Sequence, residues 1–155
     1  WGYSKLFYAP DSTAKAARLF TSVADQYKGN NNFEYDLVDI VRQSNADKGN
    51  VLLEEISQSY DRKDKEDFRK QTQQFLDLIL ITVWGDSIAA NQGGLHDYSH
   101  REWSGLLKDL YYQRWKAFFE QKQAELDGKP AGQEINFYGM EKAWAEKSKA
   151  QTLKN

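Results

Sequence analysis

The 155-residue chain contains no cysteine. Thiolate zinc sites, thiol catalysis and disulfide stapling are thereby excluded, while cytoplasm and bacterial periplasm both stay open. Nor is there a surplus of positive charge: 21 Lys and Arg stand against 23 Asp and Glu, a formal net charge of −2. With nothing basic to draw in phosphate backbones, nucleic acid is disfavoured as a partner. The longest apolar run, around Phe75 to Trp84, is interrupted by Asp77 and Thr82, so no membrane-spanning segment is expected. Gly-rich phosphate loops, a Ser-centred nucleophile elbow and metalloprotease motifs are all missing, and no cofactor is expected. No signal peptide is recognisable, and the chain opens on Trp1 instead of Met. The sequence therefore reads as a piece of something longer.

What is present is aromatic and helical. Five Trp, nine Tyr and eight Phe give 22 aromatic residues, suited to flat ligands such as sugar rings and equally to a bundle core of large side chains. The length supports one domain with a real core. Asp11 and Ser12 are plausible N-caps for a first helix to about Lys28, with Ala14, Ala17, Leu19, Phe20 and Val23 as its apolar positions and Gly29 after its end. GNNN then breaks the pattern. A second helix from Phe33 carries Leu37, Ile40, Val41, Ser44, Val51, Leu52 and Ile56, with Gly49 inside it marking a kink or a close helix contact. After a charged turn capped by Asp64, a third helix places Phe68, Thr72, Phe75, Leu76, Ile79 and Val83 three or four apart. The fourth holds Trp103, Leu106, Leu107, Leu110, Tyr111, Trp115, Phe118 and Phe119 at helical spacing, and DGKPAG stops it. A short last helix, about Met140 to Lys149, packs Trp144. The expected fold is all-α, a bundle of four to five helices.

Two groups of residues invite chemical readings. His96 and His100 stand four apart with Asp97 between them, a spacing that puts two imidazoles on one helix face and suits a metal. Ser99-His-Arg-Glu102 is also a capping box, and Asp97 is a cap one turn earlier. A helix starting here leaves His96 outside it, so punctuation is preferred to a metal site. The carboxylate pairs Glu54/Glu55, Asp61/Asp64 and Glu66/Asp67 have the residue types of glycoside hydrolysis, but they sit in charged, solvated stretches and read as surface. Trp84, Leu95 and Tyr98 flank a Gly-Gly loop in WGDSIAANQGGLHDYSHREW (84–103). From composition they are core residues or the wall of a pocket.

YDLVDIVRQ (35–43), ITVWGD (81–86), LHDYSHREWSGLLKDLYYQRWKAFF (95–119) and INFYGMEKAWAEK (135–147) together resemble the C-terminal helical domain of α-N-acetylglucosaminidases, glycoside hydrolase family 89. The ordered combination WG…HDY…W-x-GLL-x-D-x-Y-x-x-RW carries the resemblance. It implies a larger, exported enzyme (periplasmic or extracellular in bacteria, lysosomal in animals) with a (β/α)₈ barrel that removes terminal α-linked N-acetylglucosamine from glycans with retention. The family's two catalytic glutamates belong to the barrel, so this chain alone is expected to be inactive. Through the resemblance, Trp84, Leu95 and Tyr98 become substrate-binding residues, and the partners are the barrel of the parent chain and the terminal sugar. Two departures stand out: the family has an additional helical stretch between the segments that here meet at Leu80–Ile81, and SNA at 44–46 replaces apolar positions. A free-standing scaffold domain and a small carbohydrate-binding module are the alternatives.

Overall fold

The computed structural model describes residues 2–91, 106–130 and 132–152. Helix α1 is Pro10–Ser22, followed by a 3₁₀ turn at Ala24–Tyr27; α2 is Asn31–Asp61, α3 Lys65–Asn91, α4 Tyr112–Leu126 and α5 Phe137–Thr152, with a π-helical turn at Leu106–Tyr111 leading into α4. No strand occurs among the described residues, so the all-α expectation holds.

Helix α1 starts earlier than the sequence suggested. Its N-cap is Ala9, without a side-chain bond, and Pro10 opens it. Proline is favoured there because its fixed φ suits the helix and its missing N–H was an orphan anyway. Asp11 is thus no cap but sits in the first turn, where the helix dipole favours an anion. The helix also stops early, at Ser22, and the rest of the predicted span winds as the 3₁₀ turn. There Phe33 stacks between Phe20, at 5.4 Å, and Tyr27, at 4.8 Å, and this aromatic stack holds the corner. Of the predicted apolar positions of α1 only Ala17 is buried, and Leu19 is 61% exposed. No element packs over its outer face among the described residues.

Helix α2 begins at Asn31 because Asn30 caps it, accepting the Phe33 N–H at 3.1 Å. At its other end, Asp64 N–H reaches Ser59 O and Lys63 N–H reaches Tyr60 O, the paired bonds of a Schellman stop, with Lys63 at φ 59°. Asp64 then caps α3 as expected, accepting the Asp67 N–H at 3.1 Å. Helix α4 ends the same way with Gly128 in the left-handed position (φ 74°), which glycine adopts without steric penalty.

The core joins Leu52, Leu53 and Ile56 of α2, Phe68, Phe75, Leu76 and Leu78 of α3, and Phe119 of α4. Phe119 is its hub: Phe75 and Phe68 meet it edge-on at 5.7 and 6.4 Å, and Trp115 stacks on it at 5.3 Å, arrangements the ring quadrupoles favour. Gly49 marks a close helix contact, since a Cβ there would lie 3.5 Å from Phe75 and 3.7 Å from Leu78. Two predicted core positions face outward instead, Val51 of α2 and Tyr111 before α4. The π turn explains Tyr111. Its wider winding advances the register, so the neighbouring Tyr112 packs against the core in its place. Helix α5 starts three residues before Met140, its first turn held by Asn136 accepting the Gly139 N–H. It docks through Arg114, which pairs with Glu141 and lies over the Phe137 ring.

Candidate functional site: a trough along the second helix

Trp84 lies on α3, five residues beyond Ile79, and its side chain is outside the described residues, as are Leu95 and Tyr98 altogether. His96, Asp97, Ser99, His100 and Glu102 also fall outside them. The structure therefore does not bring the predicted sugar-contact residues together or separate them. The carboxylate pairs are not a site: Glu54, Glu55, Asp61 and Glu66 are exposed, and Asp64 caps α3.

What the described residues do form is an open trough of about 830 Å³ between α2, α3, the π turn and α4, with Phe20 of α1 also in its lining. Its α2 wall is a single helical stripe: Asp36, Asp39 and Ile40, Gln43, Ala46, Gly49 and Asn50, then Leu53. From 36 to 53 that stripe rises about 26 Å. One end is apolar, floored by Phe75, Leu78, Ile79, Leu107 and Trp115; the other carries the carboxylates of Asp36 and Asp39. Arg42 and Asn45, on the same rim, are already engaged in interactions. The polar triplet at 44–46 borders this trough, with Ser44 and Asn45 half-buried and Ala46 exposed. The sequence held the signal for this wall, because Asp36, Gln43 and Asn50 recur every seven residues beside Ile40. A search for one apolar stripe assigns Ile40 to the core and passes over them.

The perturbed groups lie elsewhere. Asp47, 3% exposed, accepts from three donors: Tyr8 OH at 2.8 Å, the Thr13 hydroxyl at 2.6 Å and Gln43 Nε2 at 2.9 Å. The bond to Asp47 raises the Tyr8 phenol above its ordinary pKa. This cluster, with the reciprocal bonds between Ser4 and Asn50, ties the N-terminal segment to α2. At the far end of the bundle, Tyr60 OH donates to Glu125 at 2.5 Å and Lys122 pairs with the same carboxylate. The Tyr60 bond, then Lys122, holds Glu125 below the usual carboxylate range, and the phenol is raised in return. Every group here is a structural tie between elements, and none faces a cavity with a proton to transfer.

Comparison with known proteins supplies a lineage. The family model described as the alpha-N-acetylglucosaminidase (NAGLU) C-terminal domain matches residues 2–80 and 79–155, two segments that overlap at Ile79–Leu80. Among solved structures, a family 89 glycoside hydrolase from Clostridium perfringens in complex with 2-acetamido-1,2-dideoxynojirimycin is 28% identical, with a TM-score of 0.74. The same enzyme with PUGNAc gives 29% and 0.73, and a form with two glutamates changed to glutamine, in complex with its substrate GlcNAc-α-1,4-galactose, gives 28% and 0.74. Each superposition covers 93% of this chain and 21% of the other. No curated protein matches the chain.

Proposed function

Since the chain belongs to the α-N-acetylglucosaminidase C-terminal domain family, we propose that it walls one side of the sugar pocket in a retaining, exo-acting α-N-acetylglucosaminidase. It is the non-catalytic part of such an enzyme, a helical domain spanning about a fifth of the solved relatives' length. The single observation that carries the reading is the superposition of nearly the whole chain on one region of an enzyme seen with an N-acetylglucosamine disaccharide as its substrate.

The chemistry belongs to the catalytic barrel on which the domain packs. One barrel glutamate attacks the anomeric carbon and a second serves as acid and then base, as double displacement requires. That the relative's substrate complex uses a form with two glutamates changed to glutamine supports this division of labour. Trp84, Leu95 and Tyr98 are the domain's contribution. An indole and a phenol offer apolar faces for the sugar ring and polar tips for its hydroxyl and acetamido groups. The parent enzyme is exported to where such glycans occur.

In the full enzyme, Trp84→Ala and Tyr98→Ala are expected to lower kcat/KM by about tenfold or more with an unchanged melting temperature. Wild-type kinetics in both variants overturns the assignment.

A further inference from the structure

The segment ahead of α1 is laced to α2 by directed bonds. Residues 2–9 belong to no helix or strand. Asn50 grips the main chain of Ser4 with both ends of its amide: the Ser4 N–H donates to Oδ1 at 2.6 Å, and Nδ2 donates to the Ser4 carbonyl at 2.6 Å. Further along, the Tyr8 hydroxyl donates to buried Asp47 at 2.8 Å and accepts from Gln43 at 3.0 Å. Thr13, in the first turn of α1, donates to the same carboxylate. Gln43, Asp47 and Asn50 stand at i, i+4 and i+7, so they share one face of α2. The chain meets Asn50 before Asp47 and therefore enters antiparallel to α2.

An amide that pairs with both the N–H and the C=O of one residue fixes the path of the backbone whatever side chain that residue carries. Ordering an irregular segment costs backbone entropy, and this one supplies no residue to the core around Ile56. What the Asn50 bonds return is a fixed direction of entry. The direction matters because the family is by its description a C-terminal domain and the chain spans 21% of the solved relative, so the catalytic part of such an enzyme lies ahead of this segment. We infer that Asn50, seconded by Asp47 and Tyr8, is a positioning residue: it sets the angle at which the catalytic part joins the helical domain, and with it the placement of the helical domain's share of the sugar pocket. This inference rests on the proposed function.

The test is Asn50→Ala in the full-length protein, assayed with an aryl N-acetyl-α-glucosaminide. KM is expected to rise by roughly tenfold with kcat little changed, because a displaced wall loses contacts to the bound sugar. Both bonds are solvent-exposed, so the melting temperature is expected to move by less than about 2 °C. Asn50→Asp keeps the acceptor for the Ser4 N–H but loses the donor, and its KM is expected to fall between. Small-angle scattering of Asn50→Ala should show a shifted distance distribution, the mark of a changed angle between the two parts. An unchanged scattering profile overturns the inference. So does a KM rise that comes with a lowered melting temperature, which makes the bonds plain support of the fold. A wild-type KM beside an impaired Trp84→Ala overturns it as well. Wild-type kinetics in both Trp84→Ala and Tyr98→Ala is a failure of the sugar-pocket reading instead, and the scattering profile alone then decides for or against the joint.

Discussion

The two ends of the bundle are built differently. Around Ile56, which has no exposed surface, three helices close over Phe68, Phe75 and Phe119 with rings packed edge to face. Toward the N-terminus several apolar residues are left outside, Phe7 being 99% exposed and Leu19 61%; α1 and the segment before it are fastened to α2 by the Phe20–Phe33 stack and by buried Asp47, which accepts from Thr13 and Tyr8. One end is held by a broad buried area, the other by a small aromatic stack and a few directed bonds. Burial is forgiving of detail and cumulative, whereas a polar tie depends on each partner staying in place. An end so lightly fastened leaves apolar surface exposed, Phe7 and Leu19 included.

Truncating the hub breaks the contrast most sharply if the contrast is false. Phe119→Ala is expected to cost about 3–5 kcal/mol, the range for deleting a buried ring that its neighbours cannot replace. Leu19→Ala, on the uncovered face of α1, is expected to change stability by less than about 0.5 kcal/mol. Urea unfolding of both variants checks this, and comparable losses would mean that α1 is covered as well.

The polar tie comes next. Asp47→Ala removes the acceptor that Tyr8, Thr13 and Gln43 share, leaving Thr13 only Pro10 O and Gln43 only the Tyr8 hydroxyl, with an expected cost of about 2 kcal/mol. If the tie is local, hydrogen exchange should speed up in α1 and the N-terminal segment while the amides around Ile56 stay protected. Uniform acceleration would show the two ends to be one cooperative unit.

Gly49 sits where the ends meet, touching Phe75 and Leu78 on the core side and lining the trough on the other. The contacts that a Cβ would make at 3.5 and 3.7 Å are ordinary ones, so a methyl group fits. Gly49→Ala is therefore expected to stabilise by about 0.5–1 kcal/mol through helix propensity. A loss in thermal unfolding would mean that the helices meet more closely than these distances.

Much of this was legible in the sequence, and the misses have identifiable causes. The third helix was read from Asp64 onward because cap and apolar spacing agree, and both Phe68 and Phe75 lie where period 3.6 puts them. The start of α1 was misplaced because Asp11 is a stronger cap type than Ala9, while Pro10 at the first position outweighs it. Tyr111 was assigned to the core because spacing arguments assume a uniform turn, and the π turn before Tyr112 violates that assumption. The trough leaves no clear mark in the sequence because its wall mixes Asp36 and Gln43 with Ile40, which is not an apolar stripe. The family was legible through WG, HDY and RW in order, a long pattern being far more specific than any of its parts. The placement of Leu95 and Tyr98 lies outside the described residues, and their assignment stays with the resemblance.

The smallest expected effect tests whether the core end also leans on directed bonds. Glu125 is held below the usual carboxylate range, chiefly by the Tyr60 hydroxyl, and Asp127 likewise, chiefly by its bond with Lys65. A carboxylate whose pKa is lower in the folded than in the unfolded state binds protons less readily when folded. The stability it adds is complete above the ordinary carboxylate value of about 4 and drains away as pH falls through the lowered folded value. Melting temperature should therefore decline on acidification below about pH 5, and Tyr60→Phe, which removes the donor but keeps the ring against Phe68, should flatten that decline. Both carboxylates are partly solvated, so screening keeps the difference between the two proteins to about 2 °C or less. Identical acid profiles for wild type and Tyr60→Phe would mean that the Tyr60 hydroxyl adds nothing to stability and that the acid response of this end rests on Asp127 and its bond with Lys65.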